Sequence, residues 1–271
     1  NGKLATDKFR SAQKYAVYAK DEKGGYSFVL HSASNGAGAN EDGTPSYIQL
    51  NAAKNSETTK NITWMSRPGA AEKAAVVKLA LKKDYDTDKE KAFREYKGTA
   101  ELLNFNGSSE NADNRVVYLN TVELSGLKPD TDYVYMAGDG DEHWSEVRNF
   151  STAYNGEKTN FFILGDTQTE DVSLENIMTE LAKKKYAFGI QTGDFVEKAD
   201  LYGDWTGILK LFDREPFSST DMIHVTGNHE LYGDTTGNIQ KSLFNIESQR
   251  HYSVQYGNVY VAVLGFSSQE K

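Results

Sequence analysis

At 271 residues the chain is long for one domain and comfortable for two, and 38% hydrophobic with 25% charged residues is enough apolar material for a buried core. A net charge of −9, from 39 acidic against 30 basic residues with no basic cluster, excludes the Lys/Arg patch that nucleic-acid binding needs; an anionic ligand would require metal ions to reverse the local field. The absence of cysteine excludes disulfides and thiolate metal sites, and the longest apolar run near the end, Val259 to Phe266, is too short to span a bilayer.

Residues 1–45 read as an N-terminal extension with little regular pattern. Lys14–Lys20 and Tyr26–His31 are expected to pair as strands, and Ser32–Thr44 is a Gly/Asn/Ser loop. Abundant Asn, Ser, Thr, Tyr and Gly without Cys points to an extracellular or cell-surface protein of a bacterial type. Sequons begin at Asn61, Asn106 and Asn149 and have meaning only in a glycosylating host.

Residues 46–153 read as short strands between polar turns: Asn61–Ser66, Ala75–Lys82, Phe93–Leu103, Val116–Leu124, Tyr133–Gly138 and Val147–Thr152. No helix is predicted among them, so the expected architecture is a β-sandwich. Asp84, Asp86, Asp88 and Glu95 match most of a calcium-loop pattern, but Lys89 stands where that turn requires Gly, so the segment is read as a solvated charged loop. His143 falls beside Asp139, Asp141 and Glu142 in a polar hairpin. Pro129 and Asp130 suit a turn, and Tyr133 follows as a strand residue whose hydroxyl could bond back to nearby backbone.

After a polar linker at Tyr154–Lys158 the periodicity changes, and residues 159–271 alternate strand and helix. Phe161–Leu164 is a buried-type strand. Leu174, Ile177, Met178 and Leu181 predict a helix capped by Ser173 and running to Lys184. Ala187–Gln191 is the next strand, Trp205 to Phe212 a second helix ending before Pro216, and Met222–Thr226 a third strand. His251–Gln255 and Asn258–Leu264 complete the chain as two strands joined at Tyr256-Gly257. His224 is expected to be packed or edge-exposed and His251 structural.

Each of the three strands ends in Gly and a hard oxygen donor: Gly165-Asp166, Gly193-Asp194 and Gly227-Asn228-His229-Glu230. The separations, 194 − 166 = 28 and 228 − 194 = 34, each leave room for a helix and a return strand, which would gather the donors at one sheet edge. The ordered trio closing on GNHE resembles the calcineurin-like metallophosphoesterases. The turn Leu127-Lys128-Pro129-Asp130-Thr131-Asp132-Tyr133, with Asn61-Ile62-Thr63-Trp64 and Phe150-Ser151-Thr152, resembles the fibronectin-III-like N-terminal domain of purple-acid-phosphatase-like enzymes. The implied fold is a fibronectin-III-like β-sandwich followed by a truncated α/β metallophosphoesterase layer.

The resemblance implies two divalent metal ions (Mn, Fe, Zn, Mg or Ca), with Asp194 bridging, Asp166 on the first and Asn228 on the second. Asn228 and His229 would meet the substrate phosphate, and His229 would act as the catalytic proton donor. Two positions depart from the family. Gln168 stands where many members carry His and could add an amide oxygen, which favours Mg, Mn or Ca over Zn. Glu197 stands where the purple branch carries the tyrosinate ligand of ferric iron, so no purple centre is expected; Glu197 is a substitute ligand or a solvated loop acid. Glu230 is read as a helix-start or loop-bonding carboxylate and not as a ligand. The family's later His and Gly-His-x-His motifs are not found, since only His251 follows His229.

The expected function is therefore a metal-dependent, acid-phosphatase-like phosphomonoesterase acting on a small-molecule phosphoester, here lacking the C-terminal His motifs and inactive alone. The remainder of the catalytic domain would be missing or on another chain. A phosphodiesterase or nucleotidase of the same superfamily is the nearest alternative. A non-catalytic surface or adhesion module that keeps the fold is the alternative from another class.

Overall fold

The computed structural model describes residues 43–66, 74–89, 92–106, 115–154, 156, 158–168 and 172–265, with the backbone of 16–20 and 26–31. Strands β1 (Ala16–Lys20) and β2 (Tyr26–His31) pair antiparallel as a separate ribbon; Lys14 and most of Ser32–Thr44 lie outside the described residues. The next elements are β3 (Ser46–Ala52), β4 (Lys60–Ser66), β5 (Val76–Leu81), α1 (Lys82–Thr87), β6 (Arg94–Lys97), β7 (Thr99–Phe105), β8 (Arg115–Leu124), β9 (Asp132–Gly138) and β10 (Arg148–Ser151). Then follow β11 (Phe161–Leu164), α2 (Val172–Leu181), β12 (Phe188–Gln191), α3 (Tyr202–Phe212), β13 (Asp221–His224), α4 (Asn238–Phe244), β14 (His251–Tyr256) and β15 (Val259–Leu264).

Two sheets face each other across residues 46–152. The four-stranded sheet β10-β9-β5-β6 supplies Val77, Leu79, Tyr133, Tyr135 and Phe150, and the opposing strands supply Ile48, Leu50, Ile62, Trp64, Val122 and Leu124. Alternation along the strands puts these apolar side chains on the inner faces, the packing expected of stacked antiparallel sheets. The Tyr133 hydroxyl accepts a hydrogen bond from the Lys128 amide at 2.9 Å, which fastens the turn at Pro129–Asp130 to the strand after it.

Three sequence expectations need correction here. The predicted strand Phe93–Leu103 is two strands in different sheets, broken at Gly98. A Cβ there would lie 1.8 Å from the Thr121 carbonyl oxygen, so only glycine lets the chain cross between the layers at that point. The charged segment around Asp84 and Asp86 is a six-residue helix, α1, and not a loop; a Lys82–Asp86 ion pair of 3.2 Å spans its i,i+4 spacing. Ser173 lies inside α2 and is not its cap, and Ile177 is 46% exposed, leaving Leu174 and Met178 as the buried face.

The larger sheet runs β11-β12-β13-β3-β4-β8-β7 and joins the two halves of the chain. Strands β11, β12 and β13 are parallel and in register, with Leu164, Gln191 and His224 side by side. Next to them β13 pairs with β3 through Met222 and Asn51. Every residue of β3 is buried, because one face meets the sandwich core and the other meets helix ends. Gln49 on β3 donates to the Leu209 carbonyl of α3, and Thr63 on β4 donates to the Leu243 carbonyl of α4 at 2.7 Å. Both carbonyls belong to last turns: Leu209 also accepts the Asp213 amide at 2.9 Å, so Gln49 adds a second donor there, while Thr63 serves the end of α4.

The same junction buries an ion pair, Lys60 on β4 with Asp221 at the head of β13, at 0% and 1% side-chain exposure. The α2/α3 core (Phe162, Met178, Trp205, Ile208, Phe212) is continuous with Tyr47, Met65, Phe105 and Val117. On the other face of the parallel strands, the β14–β15 hairpin packs Val254, Tyr256 and Val263 over Phe188 and Ile223. Its turn is at Gly257-Asn258, one residue later than expected, with Gly257 at φ 55°. The β11 edge leaves Phe161 and Ile163 44% and 58% exposed. Among the described residues no helix is long and apolar enough to cross a membrane.

Candidate metal centre

The three parallel strands end at one cleft of about 360 Å³, lined by Asp166, Thr192, Gly193, Asp194, Gly227 and Asn228, with Leu264 and Gly265 from the hairpin. The backbone brings the first two motifs together: the Thr192 amide donates to the Leu164 carbonyl at 2.8 Å and the Asp166 amide to the Gly193 carbonyl at 3.2 Å. Both aspartates sit in the left-handed region, at φ 53° and 54°. Such a conformation costs a non-glycine residue on the order of 1 kcal/mol or more and persists where the surroundings impose it, commonly at functional sites. Here it turns two carboxylates off the strand ends into the same space.

Glu230 holds the second and third motifs as one piece. Its carboxylate is fully buried and accepts from the amides of Asp194 at 2.9 Å, Phe195 at 2.5 Å and Gly227 at 2.7 Å. Burial pushes its pKa up, opposed by those three N–H groups and reinforced by the charge of Asp194. The loop-bonding role read from the sequence is what the side chain does. Asp194 Oδ1 in turn accepts the His229 amide at 3.0 Å. Gly227 cannot be replaced without disturbance, because a Cβ would stand 2.3 Å from Asp194 Oδ1 and 2.5 Å from its nitrogen.

The remaining candidates are placed around this frame. Asn228 Nδ2 donates to the Tyr232 hydroxyl at 3.0 Å, which leaves Oδ1 as the open donor atom. His229 does not line the cleft wall itself; its Nδ1 lies 2.9 Å from the Glu197 carbonyl and its ring is tilted against Tyr232 at 4.6 Å. A carbonyl partner requires the proton on Nδ1, so Nε2 is the nitrogen left for a ligand. Glu197 is outside the cleft lining, its carboxylate 56% exposed and 3.6 Å from His229 Nδ1, the placement of a solvated loop acid. Gln168 is also outside the lining, but its Oε1 is buried without a hydrogen-bond partner. An orphaned buried carbonyl oxygen is an acceptor in need of a donor or a cation.

The donor set fits a hard cation. Two carboxylates and an amide oxygen converge, a third carboxylate lies buried behind them, and oxygen-only ligation suits Mg, Mn or Ca. Among the described residues no three His, Asp or Glu side chains form a group able to hold a metal by themselves.

Among the described side chains the other histidines lie apart from the cleft lining. His224 is 1% exposed and stacked 3.5 Å from Phe244, His143 bonds Asp139 at 2.7 Å, and His251 is exposed at the head of β14. Of the sequons, Asn61 is buried, Asn149 is exposed, and Gly107-Ser108 lie outside the described residues. Lys60, Asp221 and Tyr232 carry no signal in the sequence; each acts through a neighbour distant in the chain or outside the motif.

Residues 45–152 match the family model described as the purple acid phosphatase N-terminal domain, and residues 159–267 match that of the calcineurin-like phosphoesterases. Comparison with curated protein sequences finds no match. Among solved structures, purple acid phosphatase PPD1 from yellow lupin (Lupinus luteus) seeds superposes with a TM-score of 0.67 at 17% identity, over 92% of this chain and 49% of that one. The chain thus shares that fold and spans about half the length of the lupin protein. A myokine structure (TM-score 0.26, 13% identity, 41% of this chain and 96% of that one) overlaps only in part. So does a sensor domain of the anti-sigma factor RsgI4 from Pseudobacteroides cellulosolvens (0.23, 12%, 40% and 95%).

Proposed function

Because the chain joins a purple acid phosphatase N-terminal domain to a calcineurin-like phosphoesterase domain, we propose that its cleft is the front part of a metal-dependent phosphomonoesterase site. The observation that carries the reading is the convergence of Asp166, Asp194 and Asn228 at the ends of three adjacent parallel strands. In this reading Asp194 is the bridging ligand, Asp166 and Asn228 hold one ion each, and Gln168 Oε1 is a supplementary donor. A bound divalent ion would supply an activated water and neutralise phosphoryl charge.

The chain's own residues do the rest. Glu230 fixes the two loops so that the donors need not reorganise on loading. The Glu197 carbonyl fixes one His229 proton on Nδ1, so Nε2 is an acceptor in the neutral ring and donates to a phosphoryl or leaving oxygen from the protonated imidazolium. We propose a division at 46–153 and 159–271, after an extension of 45 residues, with strands of both parts meeting in one seven-stranded sheet.

Three oxygen donors and Gln168 are too few for two cation shells, so this chain alone is expected to bind at most one divalent ion, weakly, and turn over little substrate. A non-catalytic module is the second reading, favoured by the lack of a group of three His, Asp or Glu donors among the described residues. Calorimetric titration with Mn²⁺ beside a chromogenic phosphate-ester assay separates the cases. One binding event lost in Asp194→Asn supports the metal reading; no binding refutes it. Robust turnover abolished by Asp194→Asn would show that the donor count is wrong and the site complete.

A further inference from the structure

We propose that Tyr232 is a positioning residue of this site, fixing which atom of the Asn228 amide faces the cation; the inference rests on the reading of Asn228 as a metal ligand. An asparagine amide offers two chemically different atoms at nearly the same place, and a half-turn exchanges them. A cation accepts the oxygen and is repelled by the NH₂ group, so a ligating asparagine needs something that distinguishes its two ends. In the structure Nδ2 donates to the Tyr232 hydroxyl at 3.0 Å, and Asn228 lines the cleft. With Nδ2 so engaged, Oδ1 is the amide atom left for a cation.

The backbone of Tyr232 is itself held from both sides. The Tyr232 amide donates to the His229 carbonyl at 3.0 Å, and its carbonyl accepts the Ala199 amide at 2.9 Å, tying it to the loop that follows the second motif. Its ring lies 4.6 Å from the His229 imidazole at 50°, so one side chain orients the amide through its hydroxyl and seats the imidazole through its ring. Tyr232 is 47% exposed, so its substitution leaves the buried core untouched. The division of labour is separable by mutation. Phenylalanine keeps the ring against His229 and removes the amide anchor; leucine removes both.

The test uses the full chain and Mn²⁺ as probe. In the metal-free wild type, ¹⁵N–¹H spectra should show one Asn228 side-chain proton shifted downfield and exchanging slowly, and Tyr232→Phe should abolish that signature without lowering the melting temperature by more than about 2 °C. The same variant should weaken Mn²⁺ binding roughly three- to ten-fold, the range for losing one neutral hydrogen bond, and Tyr232→Leu should weaken it further. In an Asn228→Asp background, where the two ends of the side chain are identical, the Tyr232→Phe penalty should vanish or reverse. A Tyr232→Phe variant with wild-type amide spectra, wild-type affinity, or an undiminished penalty in the Asn228→Asp background overturns the inference while leaving the metal site standing. Failure of the wild type to bind Mn²⁺ better than Asp194→Asn overturns the metal reading, and this inference with it.

Discussion

Replacing Lys60 by methionine should destabilise the whole molecule by about 3–5 kcal/mol, the cost of leaving one member of a buried ion pair without its partner. Lys60 Nζ contacts Asp221 Oδ2 at complete burial, and Asp221 Oδ1 has no hydrogen-bond partner. Burial lowers the Lys60 pKa and raises that of Asp221, while each partner's charge pulls the other way. Desolvation is therefore only partly repaid: one carboxylate oxygen is satisfied and the other is not. Removing the pair as a whole should then cost little. Lys60→Met with Asp221→Leu is expected within about 1 kcal/mol of wild type, or above it, because an apolar pair of similar volume avoids the desolvation altogether. The two residues are 161 positions apart and lie on opposite sides of the β3–β13 junction, so the loss should appear as a shift of one cooperative transition. Urea unfolding followed by tryptophan fluorescence and far-UV circular dichroism checks this. A Lys60→Met variant within about 1 kcal/mol of wild type, or one that unfolds its two halves separately while the wild type does not, would refute the reasoning.

Two further outcomes follow from the structure. Burial lowers the His224 pKa to about 3, so the unfolded chain takes up the proton first as pH falls below about 6.5, and folding stability drops from there towards pH 3; at pH 5 the loss from this group is about 2 kcal/mol. His224→Phe keeps the stack on Phe244 and should remove that part of the pH dependence, since neither ring nitrogen has a partner to lose; unfolding free energies at pH 7.5 and pH 5 that change equally in both proteins would contradict it. Gly227→Ala places a methyl 2.3 Å from Asp194 Oδ1 and should weaken Mn²⁺ binding roughly 10- to 100-fold, as when a group that orients a metal ligand is lost; unchanged affinity by calorimetry would count against the assigned site.

What could be read from the sequence was what depends on near neighbours. The Gly-Asp pairs carry their geometry with them, because Asp166 and Asp194 take a left-handed conformation that turns each carboxylate at a strand end; in GNHE it is the close approach of Gly227 to Asp194 that needs glycine. The turn at Pro129–Tyr133 was legible for the same reason: its hydroxyl bond closes over five residues. Strand β3 was not. Its polar positions, Gln49 and Asn51, have the pattern of a solvent-facing side, and only the helix ends that cover them make that side interior. Helix α4 is seven residues long, and its entry is held by Asp234 Oδ2 accepting the Ile239 amide at 2.7 Å, a cap that lies outside the helix and outside any periodicity. Glu197 left two readings open in the sequence, and its exposed carboxylate has the character of the solvated loop acid; the contact of its backbone carbonyl with His229 could not be read from position relative to the motif.

The shared sheet gives the N-terminal sandwich a part in the site. Strand β13 is four residues long, and the chain is fixed at both of its ends: Asp221 at the start by Lys60 of the sandwich, and Gly227 through Glu230 just beyond the end by the carboxylate that also binds Asp194. Between them Met222 pairs with Asn51 of β3, and the Gln240 side chain ties Val225 and Thr226 to α4, which itself leans on Thr63 of β4. A four-residue strand has too few ladder bonds to resist sliding or tilting by itself, and a donor such as Asn228 tolerates little displacement. The precision of the cleft is thus set in part by residues of the sandwich that lie outside the cleft lining, among them Lys60, Thr63 and Asn51.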